Sequence, residues 1–276
     1  MKGIFNYIDG DSCIHRLTGA TKFLILFLWS FAAMLTYDTR FLTGLVLLGI
    51  VLFVISGLKF SDIRFFLVLS LAFIALNIPL LYLFSPRHGT ELYGTTSLVF
   101  NGLTGKYAPT WEQLFYQLNF VLKYFAMIPV IILFVSTTNP SEFAASLNKI
   151  GVPYSISYSV ALALRYIPDV QREYHEISQA QQARGIEMSK KASLVNRLKS
   201  AAAILIPLIM SGMQRIETIS NAMELRSFGK KKKRTWYMSR SFKTADFFAI
   251  AFGLILLLTA VFLNILNGGR FWNPFV

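Results

Sequence analysis

Cysteine and histidine are nearly absent from this 276-residue chain: Cys13 is the single cysteine, and the three histidines are His15, His88 and His175. One cysteine excludes an intrachain disulfide and a cysteine-based zinc site. Histidines this far apart do not suggest a metal cluster. Acid is also scarce, with 14 Asp and Glu against 27 Lys and Arg, and charged residues make up only 15% of the chain. Soluble domains carry about 25% charged residues. Together with a hydrophobic content of 54%, that shortfall excludes disordered, collagenous and disulfide-scaffold classes. It indicates a polytopic membrane protein that is basic wherever it leaves the bilayer. Met1 to Lys22 carries Asp9, Asp11 and scattered polar residues, so it lacks the basic start and apolar core of a signal peptide.

Two partial motifs fail on inspection. His175-Glu176 would need a second histidine at 179, where Gln179 stands. Gly102 to Lys106 resembles the end of a phosphate loop, but Phe100 replaces its first glycine and Tyr107 its Ser or Thr. The chain therefore shows no nucleotide site of its own. No Ser/His/Asp set or carboxylate pair stands out, so no catalytic, metal-binding or cofactor-binding residue is assigned.

What the chain has is long apolar runs. A spanning helix needs about 20 predominantly apolar residues. That length predicts an all-α membrane protein of about five transmembrane helices, near 17–37, 41–58, 65–84, 114–135 and 247–266. Asn77 and Pro79 interrupt the third, as a kink that neighbouring helices can accommodate. Lys123 enters the fourth within reach of the headgroups and is expected to snorkel. With five spans, one set of loops holds 22 Lys and Arg, and the other holds only Arg40, Arg87, Lys106 and Arg270. The positive-inside rule then places the N-terminus and the long segment 140–245 in the cytoplasm, and the C-terminus outside. Three blocks follow: 1–139 with four spans, 140–245 as cytoplasmic coupling helices, and 246–276 with the last span and an external tail.

Pro140 to Lys243 holds 17 basic and 7 acidic residues, which marks it as the working surface. Asn139-Pro140-Ser141-Glu142 is a helix start, with Asn139 as cap, Pro140 at the first position and Glu142 closing a capping box. Gly151-Val152-Pro153 ends that short helix, and a second begins near Tyr154, is kinked or restarted at Pro168, and runs toward Gly185. Val170, Tyr174 and Ile177 share one stripe, and Arg184 falls roughly 40° from Val170 on the helical wheel. A third helix is expected from about Leu194 to Phe228. Its apolar centre, Ala201 to Met213, is too short to cross, so it lies under or partly in the interface; a tilted or re-entrant span paired with Ile156 to Leu164 is the alternative. Both long helices thus end in an arginine followed by a turn signal, at Arg184-Gly185 and Arg226-Ser227-Phe228-Gly229. A helix dipole alone favours a cation at such an end. Two sites of the same design instead suggest paired docking points, because a guanidinium fork engages carboxylates or helix-end carbonyls in a partner's groove. The run Lys230 to Arg234 reads as a topological anchor attracted to anionic lipid.

Thr137-Thr138-Asn139-Pro140-Ser141-Glu142-Phe143, Ala163-Leu164-Arg165-Tyr166-Ile167-Pro168, Ala180-Gln181-Gln182-Ala183-Arg184-Gly185 and Asn221-Ala222-Met223-Glu224-Leu225-Arg226-Ser227-Phe228 give the chain a family resemblance. It resembles the transmembrane T component of energy-coupling factor (ECF) transporters, the scaffold of a class of ATP-driven importers in prokaryotic cell membranes. Ala183-Arg184-Gly185 matches the first Ala-Arg-Gly motif of that family; in the second, Leu225 and Ser227 stand for Ala and Gly around Arg226. The resemblance implies a non-catalytic subunit bound to two ABC-type ATPase subunits, which would hold the ATP and Mg, with Arg184 and Arg226 as anchors. It also implies a small membrane S component that binds a vitamin or related micronutrient. Leu198, Ile204, Leu205, Leu208 and Ile209 are candidates for its contact face. A stand-alone secondary transporter or membrane-embedded enzyme would share the span count, with Lys123, Asn77 and Asn119 as its intramembrane polar groups. No inverted repeat is apparent. A nucleic-acid binder fits worst, since no aromatic-basic recognition motif accompanies the basic residues.

Overall fold

The computed structural model describes residues 10–99, 105, 107–186, 193–230, 235–236 and 240–275. The phosphate-loop-like fragment at 102–106 and the basic run at 230–234 lie largely outside the described residues. The chain is 77% helical and without strands among the described residues. Its helices are α1 (Cys13–Arg16), α2 (Gly19–Leu35), α3 (Thr39–Ser56), α4 (Phe60–Phe84), α5 (His88–Tyr93), α6 (Trp111–Thr137), α7 (Pro140–Lys149), α8 (Tyr154–Ala183), α9 (Leu194–Leu225) and α10 (Thr244–Leu266). They fall into two compact units, the first formed by the described residues up to Asn139 together with those from Arg240 onward, the second by Pro140–Ser239.

Among the described residues, five helices are long and apolar enough to cross a membrane: α3, α4 from Phe66, α6, α9 from Asn196, and α10. Four coincide with expected spans. The first expected span forms α2, which at 17 residues is about 26 Å long against a hydrocarbon core of about 30 Å. Thr18 caps its start, accepting from the Thr21 N–H, and the backbone turns extended at Thr36. The difference lies in α9, which the sequence places at the interface and whose length and composition also suit a crossing. Pro79 and Pro129 sit inside α4 and α6 without ending them. Asn77 spends its amide locally, donating to Phe73 O at 3.2 Å.

The first unit packs α2 against α10 and α3 against α6. Its buried centre is Trp29, Ala33, Leu45, Ala126 and Val130. The Trp29 indole N–H is satisfied by Ala126 O at 3.0 Å, in the stretch of α6 that Pro129 interrupts. Gly49 of α3 eases the close approach of the proline: a Cβ there would lie a tight 3.3 Å from the Pro129 ring.

Buried polar groups in this unit act as helix caps. Asp246, 1% exposed, accepts the Thr18 N–H at 2.9 Å and the Lys243 N–H at 2.8 Å, so one carboxylate serves the starts of both α2 and α10. Lys22, also buried, donates to Thr137 O at 2.7 Å, the last residue of α6. Near the other end of the bundle, Lys123 lies 3.3 Å from the Tyr37 ring centroid and donates to Met34 O at 3.1 Å. The tail returns to the same place. Tyr37 N–H donates to Arg270 O at 2.7 Å, Phe271 stacks on Tyr37 at 4.6 Å, and Arg40 lies 4.0 Å over Trp272.

Candidate functional site

The second unit is organised by α8 and α9. α7 ends in a tight reversal where Val152 N–H reaches Leu147 O and the Asn148 amide donates to Val152 O at 2.9 Å. Pro153, which has no N–H to leave unpaired, opens α8. α8 then runs 30 residues, about 45 Å, with Pro168 inside it. α9 returns antiparallel, with Pro207 inside it. Three sets of contacts fix the direction.

At the start of α8, Phe228 packs in tilted ring contacts against Tyr158 at 4.8 Å and Tyr154 at 5.7 Å. Trp236 joins them, 5.2 Å from Tyr154, with its indole N–H on Asn148 Oδ1 at 3.2 Å. At mid-length, Arg215 Nη2 donates to Glu173 Oε2 at 2.9 Å and the Ser211 hydroxyl donates to Glu173 Oε1. The Arg215 guanidinium also lies 5.7 Å from the Tyr166 ring centroid. Toward the end of α8, the Gln181 amide donates to Ala203 O at 3.0 Å.

The two arginine-bearing ends have the same backbone construction. After α8, Gly185 N–H reaches Gln182 O at 2.9 Å and Ile186 N–H reaches Gln181 O at 3.1 Å. After α9, Ser227 N–H reaches Glu224 O at 2.8 Å and Phe228 N–H reaches Met223 O at 2.9 Å. Each is a Schellman motif whose C-cap is the arginine itself. The motif requires a left-handed residue next, and φ is +84° at Gly185 and +54° at Ser227. α9 therefore ends at Leu225, three residues before Phe228, because Ser227 has already left the helix. Ala183, Arg184, Gly185, Leu225 and Arg226 are all exposed, Leu225 to 88%, and Ser227 is half-buried. Since the helices are antiparallel, the two ends stand at opposite ends of the pair.

Leu198, Leu205 and Ile209 share one stripe of α9 and are open, Leu198 to 76%. Ile206, Met210, Met213 and Ile216 widen the open face. Ile204, expected on that face, is only 4% exposed and lies about 120° round the helix from Leu198. Leu208 is intermediate. The sequence reading did not single out Glu173, Ser211, Phe228 or Trp236 as contact-making residues. Glu173 is one of three acids on α8, beside Asp169 and Glu176, so only the arginine beyond the apolar centre of α9 hinted at a partner, and nothing singled out which acid it would pair with. Among the described residues, no three His, Cys, Asp or Glu side chains come together as metal ligands would.

A family model described as CbiQ, cobalt transport protein, matches residues 10–237. Curated relatives align over most of their length. The energy-coupling factor transporter transmembrane protein EcfT of Exiguobacterium sibiricum is 27% identical, covering 95% of this chain and 98% of its own. EcfT of Bacillus subtilis is 27% identical over 85% of this chain and 87% of its own. EcfT of Listeria innocua is 28% identical, covering 96% of each. These relatives are transporter subunits, in keeping with a non-catalytic role for a multi-pass membrane protein. With the family model matched over residues 10–237 and relatives aligned almost end to end, the chain belongs to the CbiQ family, the transmembrane T components of energy-coupling factor transporters.

Proposed function

We propose that this chain couples ATP hydrolysis in two ABC-type ATPase subunits to a small membrane S component, and so drives uptake of a vitamin or related micronutrient. One observation carries the reading: α8 and α9 are antiparallel, and each ends in an exposed arginine held by the same Schellman turn. The ends are separated by about the length of α8, roughly 45 Å, so each serves a different ATPase subunit. Ala183, Arg184 and Gly185 form one docking end, and Leu225, Arg226 and Ser227 form the other. ATP and Mg belong to the partners.

The same reading sets the position of α9. Its partner α8 carries Arg165, Asp169, Arg172, Glu173 and Glu176 and is not among the helices apolar enough to cross. A pair joined along its length to such a helix stays at the interface, because a charge at the bilayer centre costs about 2.5–3.5 kcal/mol. The N-terminus and the 140–245 segment then face the cytoplasm and the C-terminus lies outside, as the 22 against 4 distribution of loop cations requires. The open apolar face around Leu198, Leu205 and Ile209 meets the S component, while the lipid bilayer covers the remaining spans.

The test is the double variant Arg184→Glu/Arg226→Glu, purified from its native membrane in mild detergent. Loss of both ATPase subunits from the preparation and loss of uptake are the expected results. Normal uptake by the double variant would refute the coupling role.

A further inference from the structure

We infer that Arg215 is a positioning residue that splints the proline interruption of α8 from across the helix pair, so that the two arginine-bearing ends move as one body. Pro168 has no N–H for the preceding turn and crowds its carbonyl, which makes its position the natural bending point of α8. Tyr166 lies before that point and Glu173 beyond it. Arg215 reaches both, with its guanidinium 5.7 Å from the Tyr166 ring and 2.9 Å from Glu173 Oε2. Ser211 donates to the other carboxylate oxygen, so Glu173 is held from two sides.

Ser211 and Arg215 both follow Pro207, in the half of α9 that leads to Arg226. Glu173 lies in the half of α8 that leads to Arg184. The clamp therefore joins the two terminal halves to each other, beyond the proline of each helix. The Glu173 and Arg215 side chains are 17% and 34% exposed, so the pair is screened less than a fully exposed ion pair. A push on the Arg184 end that would otherwise bend α8 at Pro168 is carried through Glu173 and Arg215 into the Arg226 end. Simple adhesion between helices would not require one guanidinium to contact residues on both sides of a proline.

The inference rests on the coupling proposal only for the source of the push; the mechanical claim concerns this chain alone and is tested without partners. Nitroxide labels at Gln179 and Ser220, both exposed, on a Cys13→Ser background report the separation of the two terminal halves by pulsed electron resonance. The full chain is used, in nanodiscs of phosphatidylcholine and phosphatidylglycerol. A narrow distance distribution is expected for the parent, a broad one for Arg215→Ala and Glu173→Gln, and recovery in the exchanged pair Glu173→Arg/Arg215→Glu. Should Arg215→Ala express poorly, Ser211→Ala removes one donor only and should give an intermediate width. An unchanged width in the single variants, or an exchanged pair no narrower than they are, overturns the inference. In the complex with ATPases, Arg215→Ala should keep its partners while uptake per ATP falls about tenfold, the scale of one charged hydrogen bond. Unaltered coupling would overturn the inference. A parent chain that purifies without ATPases would instead refute the coupling proposal, leaving the label distances to decide this one.

Discussion

Ser227 occupies, after α9, the left-handed position that Gly185 holds after α8, and both turns close with the same pair of hydrogen bonds. A side chain in that conformation costs roughly 1–2 kcal/mol that glycine does not. Ser227→Gly should therefore tighten the second turn by about 1 kcal/mol, and Gly185→Ala should loosen the first by a similar amount. Amide hydrogen exchange at Phe228 and Ile186 reads the two effects separately, and unchanged protection in both variants would show that the turns are held by something other than the backbone geometry.

Single arginine variants should divide the complex. With the two ends roughly 45 Å apart, Arg184→Glu is expected to leave one ATPase subunit bound through Arg226, and Arg226→Glu to leave the other. Native mass spectrometry distinguishes the singly loaded species. Simultaneous loss of both subunits from either single variant would mean that one composite surface, and not two independent ends, does the docking.

Asp246 is expected to matter for stability and not for coupling. Removing its carboxylate leaves the buried amide of Thr18 and the partly buried amide of Lys243 without their acceptor, and Asp246→Ala should cost about 3 kcal/mol, a typical loss for charged hydrogen bonds at a buried site. Denaturant titration in detergent measures it. Uptake per folded molecule should match the parent.

Lys123 separates the coupling role from a transporter or enzyme of its own. Its ammonium is already engaged by the Tyr37 ring and by Met34 O, so Lys123→Met should lower stability by about 1 kcal/mol and leave uptake intact. Abolished uptake at normal expression would restore the intramembrane-charge alternative.

Much of the helical layout was legible because an apolar run of sufficient length is a local property. Four expected spans match α3, α4, α6 and α10, and both arginine-ended helices are present. What was illegible depends on partners distant in sequence. Glu173 and Arg215 are 42 residues apart, and nothing near either one announces the other. Pro168 was expected to kink or restart a helix; it does not restart one, since α8 continues through it with α9 packed alongside. Ile204 is apolar but lies off the stripe of the open face, and the approach of Ala203 to Gln181 turns that side of α9 toward α8. Lys123 was expected to snorkel, and nothing in the sequence signalled the ring and the carbonyl it meets at the end of α2, Tyr37 and Met34 O. The role of Asp246 was equally hidden, since its acceptor function is visible only once α2 and α10 lie side by side.

That shared carboxylate also gives the membrane bundle a timetable. Thr18 and Asp246 are 228 residues apart, and at about 5–20 residues per second the ribosome needs roughly 10–50 s to travel from one to the other. For that interval α2 sits in the membrane with the start of its helix uncapped by its eventual partner, and all of Pro140–Ser239 emerges before the bundle can close. The arginine-ended pair is thus synthesised, and free to meet its partners, ahead of the helix that completes the membrane unit.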